Sequence, residues 1–231
     1  MRLDKYLCDL DIGSRSQVKE IIKKKRVTVD GEVATNPAMA LADTSKVYLD
    51  GELLTYEEFR YFMLNKPQGV VSATEDGKEK TVMELLGNEN IKGMFPVGRL
   101  DKDTEGLLLI TNDGKLAHNL LSPKKHVEKC YYVELLEDIK SEDIKQLEAG
   151  VDIGDDTVTL PARVEAINKK AIYLTITEGR YHQVKRMLEA VNNKVVFLKR
   201  VSFGTLTLDE ELKTGEYRRL YADELIMLSL K

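Results

Sequence analysis

The stretch Gly98-Arg99-Leu100-Asp101-Lys102-Asp103-Thr104-Glu105-Gly106-Leu107-Leu108-Leu109-Ile110-Thr111-Asn112-Asp113-Gly114 sets a charged loop directly against an apolar run. Leu107 to Ile110 is short and continuous, as expected of a buried strand. The loop therefore carries an arginine and two aspartates at the mouth of a strand, where a rigid element can aim them. Three other readings compete. Asp101, Asp103, Glu105 and Gly106 fit the early positions of a calcium loop, but its closing carboxylate position falls on Asn112, and Leu107–Ile110 would be aliphatic where such a loop is polar. A merely solvated acidic loop is the ordinary explanation for such a string taken alone. A glycosidase-type pair needs a second carboxylate across the scissile bond, which sequence spacing does not exclude.

Working outward, the 231 residues allow one large domain or two smaller ones. No apolar run approaches the length of a membrane span, and Met1-Arg2-Leu3-Asp4-Lys5 does not read as a signal peptide, so the expected compartment is the cytoplasm. Cys8 and Cys130 are far apart and form no metal or redox pair, and His118, His126 and His182 lack ligand spacing, so no metal site is expected. The net charge of −4 argues weakly against a nucleic-acid partner. The charges are segregated, however, and phosphate binding depends on the local patch.

That patch lies near the N-terminus. Ser14 and Gln17 form a Ser-x-x-Gln capping box, and Val18, Ile21 and Ile22 supply the buried stripe of a helix. Its other face carries Arg15, Lys19, Lys23, Lys24, Lys25 and Arg26 against one acid, Glu20. Taken alone, a basic helix face is as readily a solvated surface as an RNA contact. Asp30-Gly31 then marks a tight hairpin, and a second strand and turn follow at Val47–Gly51. Glu52 to Arg60 is polar and acidic and reads as a linker.

From residue 61 onward the pattern is α+β. Tyr61 to Ser72 reads as two strands broken by a Pro-x-Gly turn. Ile172, Leu174 and Ile176 alternate with polar residues, and Val158, Leu160 and Val164 belong to a similar stretch, which predicts a mixed, mostly antiparallel sheet with one face covered. Helices are expected over Ser141–Ala149, capped by Ser141, and over Tyr181–Val191, stopped by Asn192-Asn193.

Two further segments bear on function. Lys129-Cys130-Tyr131-Tyr132-Val133 is, on its own, a strand with aromatic residues in the core. Glu178-Gly179-Arg180-Tyr181-His182-Gln183-Val184-Lys185-Arg186-Met187 places Arg180 at a strand-to-helix junction, where a surface arginine capping a sheet edge is the plain explanation. Together with Arg99-Leu100-Asp101 and Asn65-Lys66-Pro67-Gln68-Gly69, these segments resemble, in order, the motifs of the RsuA-type pseudouridine synthases. The first 51 residues resemble an S4 RNA-binding domain. The implied division is residues 1–51 for the S4 domain, 52–60 for the linker and 61–231 for the catalytic domain.

The resemblance implies Asp101 as nucleophile, Tyr131 as the active-site tyrosine, Arg180 as the cation paired with the catalytic carboxylate, and, since the isomerisation involves no redox change, no cofactor. A guanidinium there would favour the charged form of an enclosed acid. Arg99 and Leu198 would line the substrate pocket, and Arg15, Lys19, Lys23 and Arg26 would track an RNA backbone. Tyr181-His182 and Gly215-Glu216-Tyr217-Arg218 are most similar to the small-subunit (16S) rRNA branch, making the implied partner 16S rRNA or a small-subunit assembly intermediate. The reaction on 23S rRNA and a non-enzymatic S4-type assembly factor remain alternatives. No oligomer signal stands out, so a monomer is the default expectation.

Overall fold

The computed structural model describes residues 1–87, 89 and 91–229, which divide into two units. Of these, the smaller comprises residues 1–58 with 89, 91 and 92, and the larger comprises 59–87 and 93–229.

In the smaller unit, α1 (Leu3–Asp9) and α2 (Arg15–Lys23) precede β1 (Val27–Val29), β2 (Glu32–Val33), β3 (Val47–Leu49) and β4 (Glu52–Leu54). The expected capping box forms, with Gln17 N–H donating to Ser14 Oγ and Ser14 N–H to Gln17 Oε1 at 2.8 Å. Leu3, Leu7, Val18, Ile22, Val27 and Val47 make a common core. The strands run in the order β2-β1-β3-β4. Both hairpins turn on Asp-Gly pairs with positive φ, 51° and 90° at Asp30-Gly31 and 52° and 87° at Asp50-Gly51, the geometry that matches strand twist. Glu52–Leu54, expected within the linker, is instead the edge strand: the Asp50-Gly51 turn folds it back on β3.

The larger unit comprises β5 (Tyr61–Lys66), β6 (Phe95–Pro96), β7 (Glu105–Thr111), α3 (Gly114–Leu121), β8 (Lys129–Leu135), α4 (Ser141–Ala149), β9 (Arg163–Asn168), β10 (Ala171–Ile176), α5 (Gln183–Ala190), β11 (Val195–Phe203), β12 (Leu206–Thr207), β13 (Tyr217–Arg219) and α6 (Ala222–Ser229). Its sheet runs β13-β5-β7-β11-β8-β10-β9, with β6 beside β7 and β12 beside β11. Among the strands of the described residues, only β7 and β11 pair in parallel. The class is α+β, as the pattern predicted. Leu108 and Ile110 enter one buried cluster with Phe62, Leu64, Val133, Leu174 and Met187. Leu107 and Leu109 enter another, with Met63, Leu120 and Phe203. A central strand buried on both faces reads as a continuous apolar run.

Four local expectations are corrected. After Pro67 the chain leaves the sheet, so no second strand forms: Gly69 N–H bonds to Lys102 O at 2.8 Å, and Val71 makes only an isolated bridge to Thr81. Residues 158–162 are not a strand, because side chains take their backbone groups. Arg180 claims the Thr157 and Val158 carbonyls, and Glu178 accepts from Leu160 N–H. α4 begins after Lys140, whose N–H donates to Asp143 at 3.0 Å, so Ser141 is inside the helix. α5 begins at Gln183, since His182 adopts φ 48°, ψ 33°. Asn192, at φ 59°, lies just beyond its end as expected. Among the described residues no helix is long and apolar enough to cross a membrane.

Candidate active site

The loop before β7 is fastened from several sides. Ser72 Oγ donates to Leu100 O at 2.8 Å and accepts from Leu100 N–H at 3.0 Å. Lys66, fully buried at the end of β5, donates to the carbonyls of Pro67 (3.1 Å), Asp101 (2.9 Å) and Thr104 (2.9 Å). Burial lowers its ammonium to about 8. Three carbonyls receive three N–H donors, which is what a buried ammonium requires. The Asn-Lys-Pro-x-Gly segment is thus the clasp of the Asp101 loop.

The Asp101 carboxylate itself is about 29% exposed, opening onto solvent. Lys185 Nζ lies 3.0 Å from its Oδ2, and His182 Nε2 3.5 Å from its Oδ1. Lys185 also holds Asp103 Oδ1 at 2.6 Å. Burial alone would lower Lys185, but hydrogen bonds to Asp103 and Asp101 outweigh it and keep the ammonium above its ordinary value. Burial works the other way on Asp103, where the bond from Lys185 prevails and holds the acid below the usual carboxylate range. His182 caps α5 and Lys185 follows three residues later, so both project to one side of the helix start.

Arg180 does not provide this contact. Its Nε binds Glu178 at 2.9 Å, and its Nη1 and Nη2 donate to Thr157 O (2.7 Å) and Val158 O (2.9 Å), with Asp155 at 3.6 Å. Arg186 reaches the same segment through Asp155 (2.6 Å) and Ile153 O. The expected Arg180–Asp101 pair is therefore replaced by Lys185–Asp101, while Arg180 and Arg186 pin residues 153–158.

Tyr131 and Leu198 lie on neighbouring strands and, with Leu100, join one buried cluster. Arg200 sits opposite Tyr131 in the strand register. It is 2% exposed, donates Nε–H to Leu107 O at 2.8 Å, and lies 4.8 Å from the Phe203 ring centroid. Burial lowers its guanidinium below the usual range. Arg99 is exposed. In the smaller unit Arg15, Lys19, Lys23 and Arg26 are all exposed, and Arg26 binds Asp50 with Nε at 2.9 Å. Among the described residues no cluster of His, Cys, Asp and Glu is arranged to hold a metal.

Sequence reasoning assigned no role to Lys185, His182, Lys66 or Arg200, although all four stand in or beside the quoted segments. The usable signal was the spacing of His182 and Lys185 across a helix start.

Residues 60–190 match the family model for RNA pseudouridylate synthase. The chain belongs to that family. Residues 1–44 match the S4 domain. The chain is 52% identical over 235 aligned positions to the uncharacterized RNA pseudouridine synthase YtzG of Bacillus subtilis, covering 99% of this chain and 98% of the relative. It is 45% identical to ribosomal small subunit pseudouridine synthase A of Vibrio cholerae, covering 97% and 98%. The protein of that same name from Escherichia coli is 43% identical over 97% and 98%. A solved pseudouridylate synthase superposes with a TM-score of 0.71 at 39% identity, covering 99% of both chains. As a pseudouridine synthase the protein is an isomerase, rearranging a uridine already in RNA.

Proposed function

We propose that this synthase converts one specific uridine of 16S rRNA, free or in a small-subunit assembly intermediate, into pseudouridine, with Asp101 as the nucleophile. The observation that carries the assignment is the Asp101–Lys185 pair at 3.0 Å on a loop immobilised by Lys66. Small-subunit specificity is supported by the names of the relatives at 43–45% identity.

In the reaction the N1–C1′ bond breaks, the base turns, and a C5–C1′ bond forms. C5 loses a proton and N1 gains one, so there is no net redox change. The uridine must leave its stack to reach Asp101. Asp101 would attack the electrophilic centre created as the glycosidic bond weakens. Lys185 holds its free oxygen and offsets charge. Tyr131 and Leu198 would enclose the base, while Arg99 at the exposed rim would meet the RNA. Arg15, Lys19 and Lys23 would follow a phosphate backbone without reading sequence. Arg26 would join them only by sharing or leaving Asp50. An rRNA substrate would fit a cytoplasmic enzyme, and one chain carries all these residues, so a monomer would suffice.

Carbodiimide mapping of 16S and 23S rRNA treated with the protein tests the assignment. A single new stop in 16S rRNA is expected. A stop only in 23S rRNA would overturn the substrate and keep the chemistry. RNA binding with no stop in either would favour an assembly factor.

A further inference from the structure

Tyr181 is 76% exposed, the highest value among the exposed large hydrophobic side chains described. Single exposed aromatics are common and need no explanation by themselves. This one is distinguished by what holds it. Its ring stacks on the His182 imidazole, with centroids 3.9 Å apart and planes 17° apart. That imidazole is in turn 3.5 Å from the Asp101 carboxylate. The backbone around the pair is fixed as well: Arg186 Nη1 donates to Tyr181 O at 3.1 Å, Arg186 N–H bonds to His182 O at 3.0 Å, and Arg180 N–H bonds to Gln183 Oε1 at 2.9 Å. An aromatic ring is thus held open to solvent one imidazole away from the nucleophile.

We propose that Tyr181 is the stacking platform for the nucleobase next to the target uridine, and so a residue that sets affinity and site selection. The proposal rests on the reading of Asp101 as acting on RNA. When the uridine swings out, its neighbour loses a stacking partner, and an immobilised aromatic face replaces it. The ligand class is any unstacked base, because every base presents a π-face. Prior stacking on His182 removes ordering cost from the tyrosine.

The test uses Tyr181→Ala, Tyr181→Phe and Tyr181→Trp in the full chain. With 16S transcript, Tyr181→Ala should lower kcat/KM about tenfold, through KM, since aromatic stacking on a base is of that order. Phe and Trp should restore it, and the melting temperature should not move. In parallel, a short single-stranded oligoribonucleotide with one uridine beside 2-aminopurine is bound to Asp101→Asn protein. Its fluorescence should be quenched, and Tyr181→Ala in that background should abolish the quenching. Normal turnover with Tyr181→Ala and unchanged quenching would overturn the platform and leave the function standing. Quenching that needs Tyr181, with no rRNA modified by the wild type, would support the platform and sink the functional reading.

Discussion

Lys185 Nζ lies 3.0 Å from Asp101 Oδ2, and Asp103 anchors the same ammonium at 2.6 Å. The lysine is held in place before substrate arrives. Lys185→Met should lower kcat on the order of 100-fold with KM little changed, the scale of losing one preorganised electrostatic contact. Lys185→Arg should recover part of it. Single-turnover kinetics at saturating RNA give the answer, and an unaltered rate in Lys185→Met would remove the lysine from the mechanism.

Arg180 makes a different prediction because it grips Thr157 and Val158 by their carbonyls. Arg180→Met should speed hydrogen exchange across residues 151–160 and cost less activity than Lys185→Met. Abolished turnover with unchanged exchange there would mean that Arg180 turns to Asp101 when RNA binds.

Lys66 links the site to pH. Its folded value of about 8 lies below the ordinary 10.5. The unfolded chain therefore binds more protons between those values. The cost of burying this charge is present in full below pH 8 and is relieved as pH rises towards 10.5. Wild type should gain stability relative to Lys66→Met across that window, by at most about 3 kcal/mol. Activity should fall over the same range, because a neutral amine has two donors for three carbonyls. Denaturant midpoints at pH 7.5, 9 and 10 measure the first effect; a flat difference between the proteins would contradict it.

Gly106 adopts φ +104°, and a Cβ there would stand 2.2 Å from the backbone oxygen of Arg200 on the parallel strand. Gly106→Ala should cost on the order of 3 kcal/mol or more, since a backbone neighbour cannot step aside. Gly179→Ala, which meets nothing within 4 Å, is the control and should leave the melting temperature nearly unchanged.

The basic face of α2 should contribute through counterion release. Replacing Lys19 and Lys23 together by Gln should reduce the salt slope of RNA binding by about 2, roughly 1 per phosphate contact. Arg26→Gln should change it less, because Arg26 already binds Asp50. Affinity measured over a series of potassium concentrations separates the cases.

Features with short-range causes could be read from the sequence. The capping box at Ser14, the Asp-Gly hairpins and the doubly buried Leu107–Ile110 strand each follow from a few adjacent residues. The placement of the candidate residues was legible where it rides on a motif: Asp101 at a strand mouth, and the Arg180–Lys185 segment beside it. Which cation faces Asp101 was not, because it depends on where α5 starts. His182 in a left-handed conformation delays the helix and carries Lys185 to the carboxylate, while the Thr157 and Val158 carbonyls capture Arg180. The clasp formed by Lys66 was hidden for a similar reason, since a lysine in a strand looks like a surface charge until its three carbonyl partners are brought around it.

The most direct test of the central claim is tritium release from 16S rRNA labelled at C5 of uridine, compared between wild type and Asp101→Asn. The wild type should release tritium equivalent to one uridine per RNA, and Asp101→Asn should bind the RNA with similar affinity and release none. Near-normal release by Asp101→Asn would contradict the assignment of Asp101 as the nucleophile.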